Sequence, residues 1–194
     1  GGHHASVENT YGIPAKLGRA NQIDLCEKCI FFTRSTHASV HKAARYNPEQ
    51  IPKLLKQGSN PNAFDDKRTT SVFWAMWGKN PKNMELAIRL LVEAGADIEW
   101  KNSTKETLLF FALEKSLVPA EVVDSIVRLG ADINTKNRYW TTPLHFAAKY
   151  ASSPNKIMVL LKHGADSEND PDRAGKTPKD YLTQRSAFAW PDEN

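Results

Sequence analysis

The chain has 194 residues, 40% of them hydrophobic and 25% charged, proportions that exclude disordered, collagen-like and disulfide-scaffold classes. The net charge of +4 arises in residues 1–64, which hold eight Lys/Arg against four Asp/Glu, while the remainder balances at eighteen of each. Opposite charges are therefore interspersed, and nucleic-acid binding is not indicated.

No apolar run approaches the roughly 20 residues of a membrane span. The two cysteines, Cys26 and Cys29, are too few for a secreted disulfide framework. A cytoplasmic protein without membrane attachment is expected. Residues 1–18 read as a tag remnant (Gly1 to His4) and an N-terminal extension. Residues 19–34 then read as a capping helix, with Ile23, Cys26 and Ile30 on one stripe and Leu25, Cys29 and Phe32 beside it.

Two phrases recur after that. One opens each copy: Ala38-Ser-Val-His-Lys-Ala-Ala44, Thr70-Ser-Val-Phe-Trp-Ala-Met76, Thr107-Leu-Leu-Phe-Phe-Ala-Leu113 and, most fully, Thr142-Pro-Leu-His-Phe-Ala-Ala148. The other closes it on Gly58, Gly95, Gly130 and Gly164, which stand 37, 35 and 34 residues apart. An apolar pair precedes each glycine: Leu54-Leu55, Leu90-Leu91, Ile126-Val127 and Leu160-Leu161. Four copies follow, at residues 35–65, 66–101, 102–136 and 137–171. Residues 172–194 form a partial repeat opened by Thr177-Pro178, with a tail holding Phe188 and Trp190.

The pattern has physical reasons. Thr142 suits an N-cap, and Pro143 suits the first turn, where a missing N–H costs nothing. Small Ala147 and Ala148 let helices approach closely. Gly164 permits the left-handed residue that ends the second helix. One copy cannot bury its own apolar face, so copies must stack. Proline-containing stretches between the two helices, at residues 79–83, 116–119 and 151–154, lengthen the later copies.

Together these phrases resemble the ankyrin repeat over about Ser35 to Leu182. The resemblance implies an all-α solenoid of stacked helix-turn-helix units with extended turn tips. It also implies that the histidine of the phrase, at His41 and His145, hydrogen-bonds between neighbouring turns. Arg68, Lys105 and Trp140 stand where the family usually has glycine, as at Gly175, so regular tips are not expected there. Trp74 and Phe111 are expected in the core.

Cys26-x-x-Cys29 with His37 and His41 has the outline of a zinc site. The gap to His37 is short, and His41 already has a place in the repeat phrase, so buried thiols are favoured. No phosphate loop or hydrolase motif is present. Asp65-Asp66 and Asp170/Asp172 read as solvated turn formers. No catalytic residue, metal or cofactor is expected, and no enzyme.

Resemblance to ankyrin arrays implies partner binding on the concave face, formed by turn tips and inner helices. By register that face holds Arg45, Tyr46, Asp66, Lys67, Trp77, Thr104, Glu106, Glu114, Arg138, Tyr139, Trp140, Lys149 and Tyr150. Trp, Tyr and Arg are the types enriched in hot spots. The expected function is protein–protein interaction as a monomeric adaptor or scaffold. One version is a bacterial or viral effector docking on host proteins in the host cytoplasm. The alternatives are the substrate-recognition part of a larger enzyme or a metal-dependent N-terminal segment.

Overall fold

The structure is a computed structural model that describes residues 40–151 and 153–184. The capping-helix expectation at 19–34, Cys26, Cys29, His37, Phe188 and Trp190 lie outside the described residues. The chain divides between Asp97 and Ile98 into two compact units. Among the described residues the regular structure is helical, with one isolated bridge between Phe64 and Thr70.

Unit 1 holds α1 (residues 40–46), a 3-10 turn at Pro48–Gln50 that runs into α2 (Ile51–Lys56), α3 (Ser71–Ala75) and α4 (Pro81–Glu93). Val40, Ile51, Leu55, Phe73, Ile88 and Leu91 form its core. Unit 2 holds α5 (Leu108–Glu114), α6 (Ala120–Arg128), α7 (Pro143–Tyr150), α8 (Pro154–Lys162) and α9 (Pro178–Thr183). Within it α5 packs on α6 and α7, α6 on α8, and α7 on α8 and α9. Leu109, Phe110, Ile126, Leu144 and Leu160 are fully buried between these layers. The short first helices cannot hold themselves in water; they persist because each buries one face within its unit, α3 against α4, α5 against α6 and α7, and α7 against α8 and α9.

Thr142 and Thr177 close capping boxes. The Thr142 hydroxyl accepts from the His145 N–H, and Thr142 N–H donates to His145 Nδ1. Thr177 trades the same bonds with Asp180. Thr70 and Thr107 occupy the same N-cap place, but their buried hydroxyls have no hydrogen-bond partner among the described residues, because the third helical residue is Phe73 or Phe110. Pro81 and Pro154 each start a second helix, as the proline-bearing loops suggested. Each second helix ends in a paired cap. In α8, Gly164 N–H donates to Leu161 C=O and Ala165 N–H to Leu160 C=O, with Gly164 at φ 83°.

The expectation of irregular tips is corrected. Arg68, Lys105 and Trp140 adopt φ 59°, 59° and 63°, the region Gly175 takes at 74°. All four tips share one network. Asp65, Asn102, Asn137 and Asp172 each accept through Oδ1 from the N–H groups two and four residues on. Each also donates its own N–H to the carbonyl four residues on. Three well-placed bonds per tip outweigh its one left-handed side chain, which costs about 1–2 kcal/mol. Relieving that cost is measurable. Lys105→Gly should raise the stability of unit 2 by about 0.5–1 kcal/mol, the strain removed exceeding the added unfolded-state entropy. A denaturant midpoint that falls would mean that Lys105 is not strained.

Candidate functional site

The first residue of each tip does more than shape the turn. Asp65 Oδ2 accepts from Trp74 Nε1 at 2.9 Å, and Asp172 Oδ2 accepts from the Tyr181 hydroxyl at 2.7 Å. Both rings stand nine residues after the tip residue. In the two middle tips the residue is Asn102 or Asn137, and the ring at the same spacing is Phe111 or Phe146. Aspartate occurs where the ring carries a donor, and asparagine where it carries none. A second carboxylate oxygen can accept an N–H or O–H; an amide NH2 in its place would set donor against donor. Burial raises the Asp172 pKa, but the Tyr181 hydroxyl and the Lys176 and Ala174 N–H groups overcome this and leave it below the ordinary value. The same Asp172 contact pushes the Tyr181 phenol up to about 12.

These rings correct the core expectation for Trp74 and Phe111. Both are only partly buried, as are Phe146 and Tyr181, because all four occupy the variable position of the opening phrase. In unit 1, Trp74 meets Trp77 edge-on at 5.8 Å and His41 at 5.7 Å. Trp77 is partly exposed and Tyr46 is 65% exposed. The Arg45 guanidinium lies 4.9 Å from the Tyr46 ring centre. Asp66 and Lys67 project from the exposed tip.

In unit 2 a groove of about 600 Å³ opens between tips and first helices. It brings together five residues named from the sequence: Glu106, Glu114, Tyr139, Lys149 and Tyr150. It adds Asn137, Phe146, Tyr181 and Arg173. Phe146 and Tyr150 pack at 4.9 Å. Lys149 Nζ sits 5.2 Å from the Tyr150 ring centre and 5.6 Å from that of Tyr181, within cation–π range. Arg138 and Trp140 line a second depression of about 440 Å³, together with Lys105, and share Asn137, Tyr139 and Arg173 with the groove.

Thr104 plays another part. Its hydroxyl lies 2.6 Å from Glu106 Oε2 and its carbonyl accepts from Arg138 N–H at 3.0 Å, so it fastens one tip to the next. The missed residues had a signal in the sequence: the variable position of the phrase is aromatic at Trp74, Phe111, Phe146 and Tyr181.

The histidines behave as that phrase requires. His145 is fully buried, and its Nε2 reaches the Lys176 carbonyl at 3.0 Å; His41 Nε2 reaches that of Thr69 at 3.1 Å. Residues 126–182 match the family model described as ankyrin repeats (many copies). Those residues carry ankyrin repeats. No curated protein matches the chain.

Ankyrin repeats generally serve as protein–protein interaction modules, typically without catalytic activity. The layers described above are those of an all-α ankyrin solenoid, each a helix-turn-helix with an extended tip. Among the described residues there is no group of three or more His, Cys, Asp or Glu able to hold a metal, and no helix long and apolar enough to cross a membrane.

Proposed function

We propose that this ankyrin array is an adaptor or scaffold that binds a partner protein, and that the groove of unit 2 is a principal contact. The observation that carries this is the row Tyr139, Phe146, Tyr150 and Tyr181 along one open groove. Tyr139 and Tyr150 are more than half exposed, and no hydrogen bond satisfies either hydroxyl among the described residues. Large apolar rings with free polar tips are the side chains that gain most from a protein partner. Glu114 adds a carboxylate with no ion pair among the described residues, and Thr104 with Glu106 fixes the neighbouring tip. Arg45, Tyr46, Asp66, Lys67 and Trp77 in unit 1 belong to the same proposal.

The test is quantitative capture. Partners retained by the full chain from its native cells are identified, and the affinity of the strongest is measured by calorimetry. Tyr150→Ala should weaken it about 10- to 100-fold, the size of a hot-spot truncation, with the thermal midpoint unchanged. An affinity unaltered by Tyr150→Ala and by Tyr139→Ala would sink the groove assignment.

A further inference from the structure

The tip depression beside the groove holds three cations, Lys105, Arg138 and Arg173. None has an ion-pair partner among the described residues. They come from three successive tips; the Arg138 N–H to Thr104 C=O bond ties the first two, and the His145 Nε2 contact with the Lys176 carbonyl ties the third to α7. The exposed rings of Tyr139 and Trp140 line the same depression. Lys136 is different, because it pairs with Asp170. Three like charges gathered with no ion pair among the described residues repel one another. An incoming oxyanion would reverse that, and the two guanidinium forks match its geometry.

The adjoining groove decides what carries the oxyanion. It shares Asn137, Tyr139 and Arg173 with the depression, and beyond its aromatic row it presents Glu106 and Glu114. A nucleic-acid backbone crossing both would bring its phosphates against those carboxylates. A peptide can place an anion at one end and apolar side chains along the rings. We propose that the partner segment is a peptide whose phosphorylated or acidic side chain seats on Lys105, Arg138 and Arg173, with flanking apolar residues in the aromatic groove. This rests on the protein-binding reading above and gives that partner a chemistry.

Fluorescence anisotropy with the full chain tests it. The probes are degenerate peptide pools rich in apolar residues, identical except for a fixed central phosphoserine, glutamate or serine. The phosphoserine or glutamate pool should bind at least about tenfold tighter than the serine pool, the least expected of a charge-assisted contact. The Arg138→Glu/Arg173→Glu double variant, checked for an unchanged thermal midpoint, should erase that preference. Phosphoserine well above glutamate identifies phosphate as the ligand; parity shows that a carboxylate suffices.

Equal binding of all pools, or a preference that survives the double variant, overturns the inference. So does a single-stranded oligonucleotide that binds tighter than the phosphoserine pool and responds to the same variant. The serine pool tells this failure apart from that of the groove. If Tyr150→Ala weakens its binding while no anion preference exists, the groove reading stands alone. If Tyr150→Ala changes no pool, the groove reading fails, and the tip assignment is judged by the double variant.

Discussion

His145→Phe should destabilise unit 2 by about 2–4 kcal/mol, although the chain itself uses Phe at the matching positions 73 and 110. The cost comes from the bonds that His145 completes. Its Nδ1 accepts from the Thr142 N–H at 3.2 Å and lies 2.7 Å from the Thr142 hydroxyl. Its Nε2 meets the Lys176 carbonyl at 3.0 Å. A phenyl ring fills the space but strands these groups, and each stranded buried group costs about 1–3 kcal/mol.

Because Nδ1 accepts from a backbone N–H, the ring is neutral and Nε2 carries the proton toward Lys176. Burial lowers the imidazole pKa below 6.5, only partly offset by that carbonyl. The unfolded chain therefore binds more protons than the folded one as pH falls through 6.5. Stability is lost on acidification and regained above it. Urea unfolding of the wild type and of His145→Phe from pH 7.5 to pH 5 should show the gap between them narrowing. A gap that stays constant would contradict the neutral-ring assignment, and one below about 1 kcal/mol at neutral pH would contradict the bridging role.

The part of the fold that was legible lay in residues whose role is local. Gly164 and its counterparts report a left-handed cap, and Thr142-Pro143 a helix start, since these roles depend only on near neighbours in the chain. The tips were harder. Arg68, Lys105 and Trp140 suggested broken turns because residue type alone prices a positive φ; it does not show the Oδ1 bonds from Asp65, Asn102 and Asn137 that outweigh it.

Part of the groove was legible by register, through Glu106, Glu114, Tyr139, Lys149 and Tyr150. Phe146 and Tyr181 were passed over because one variable position in each copy looks like noise until four copies are set side by side. Lys156 was not legible at all. It follows Pro154-Asn155 at the start of a second helix, where a lysine ordinarily reads as a solvated face. Its burial is decided by where another helix, some forty residues earlier, happens to stop.

That helix is α5, and its ending sets the last expectation. It stops at Glu114 with Lys115 extended and no left-handed cap, so its final carbonyls lack the donors that a glycine turn would supply. Lys156, 1% exposed, sends its ammonium into that gap. Nζ donates to the carbonyls of Ala112 at 2.9 Å, Leu113 at 3.2 Å and Lys115 at 2.6 Å. A cation at the negative end of a helix is well placed, yet burial draws its pKa from 10.5 down to about 8.

Lys156→Met keeps the bulk and removes the donors. It should cost about 2 kcal/mol at pH 7, the stranded carbonyls outweighing the relief of a buried charge. The sign of the pH effect follows from the lowered pKa: between pH 8 and pH 10.5 the unfolded chain holds a proton that the folded chain has released. Wild-type stability relative to Lys156→Met should therefore rise across that window, by at most about 3 kcal/mol, with the carbonyl bonds to the ammonium reducing the gain. Denaturant unfolding of the two proteins at pH 7 and at pH 10 measures both quantities. If the methionine variant proves the more stable at pH 7, the lysine is a net burden on the fold and α5 does not need it as a cap.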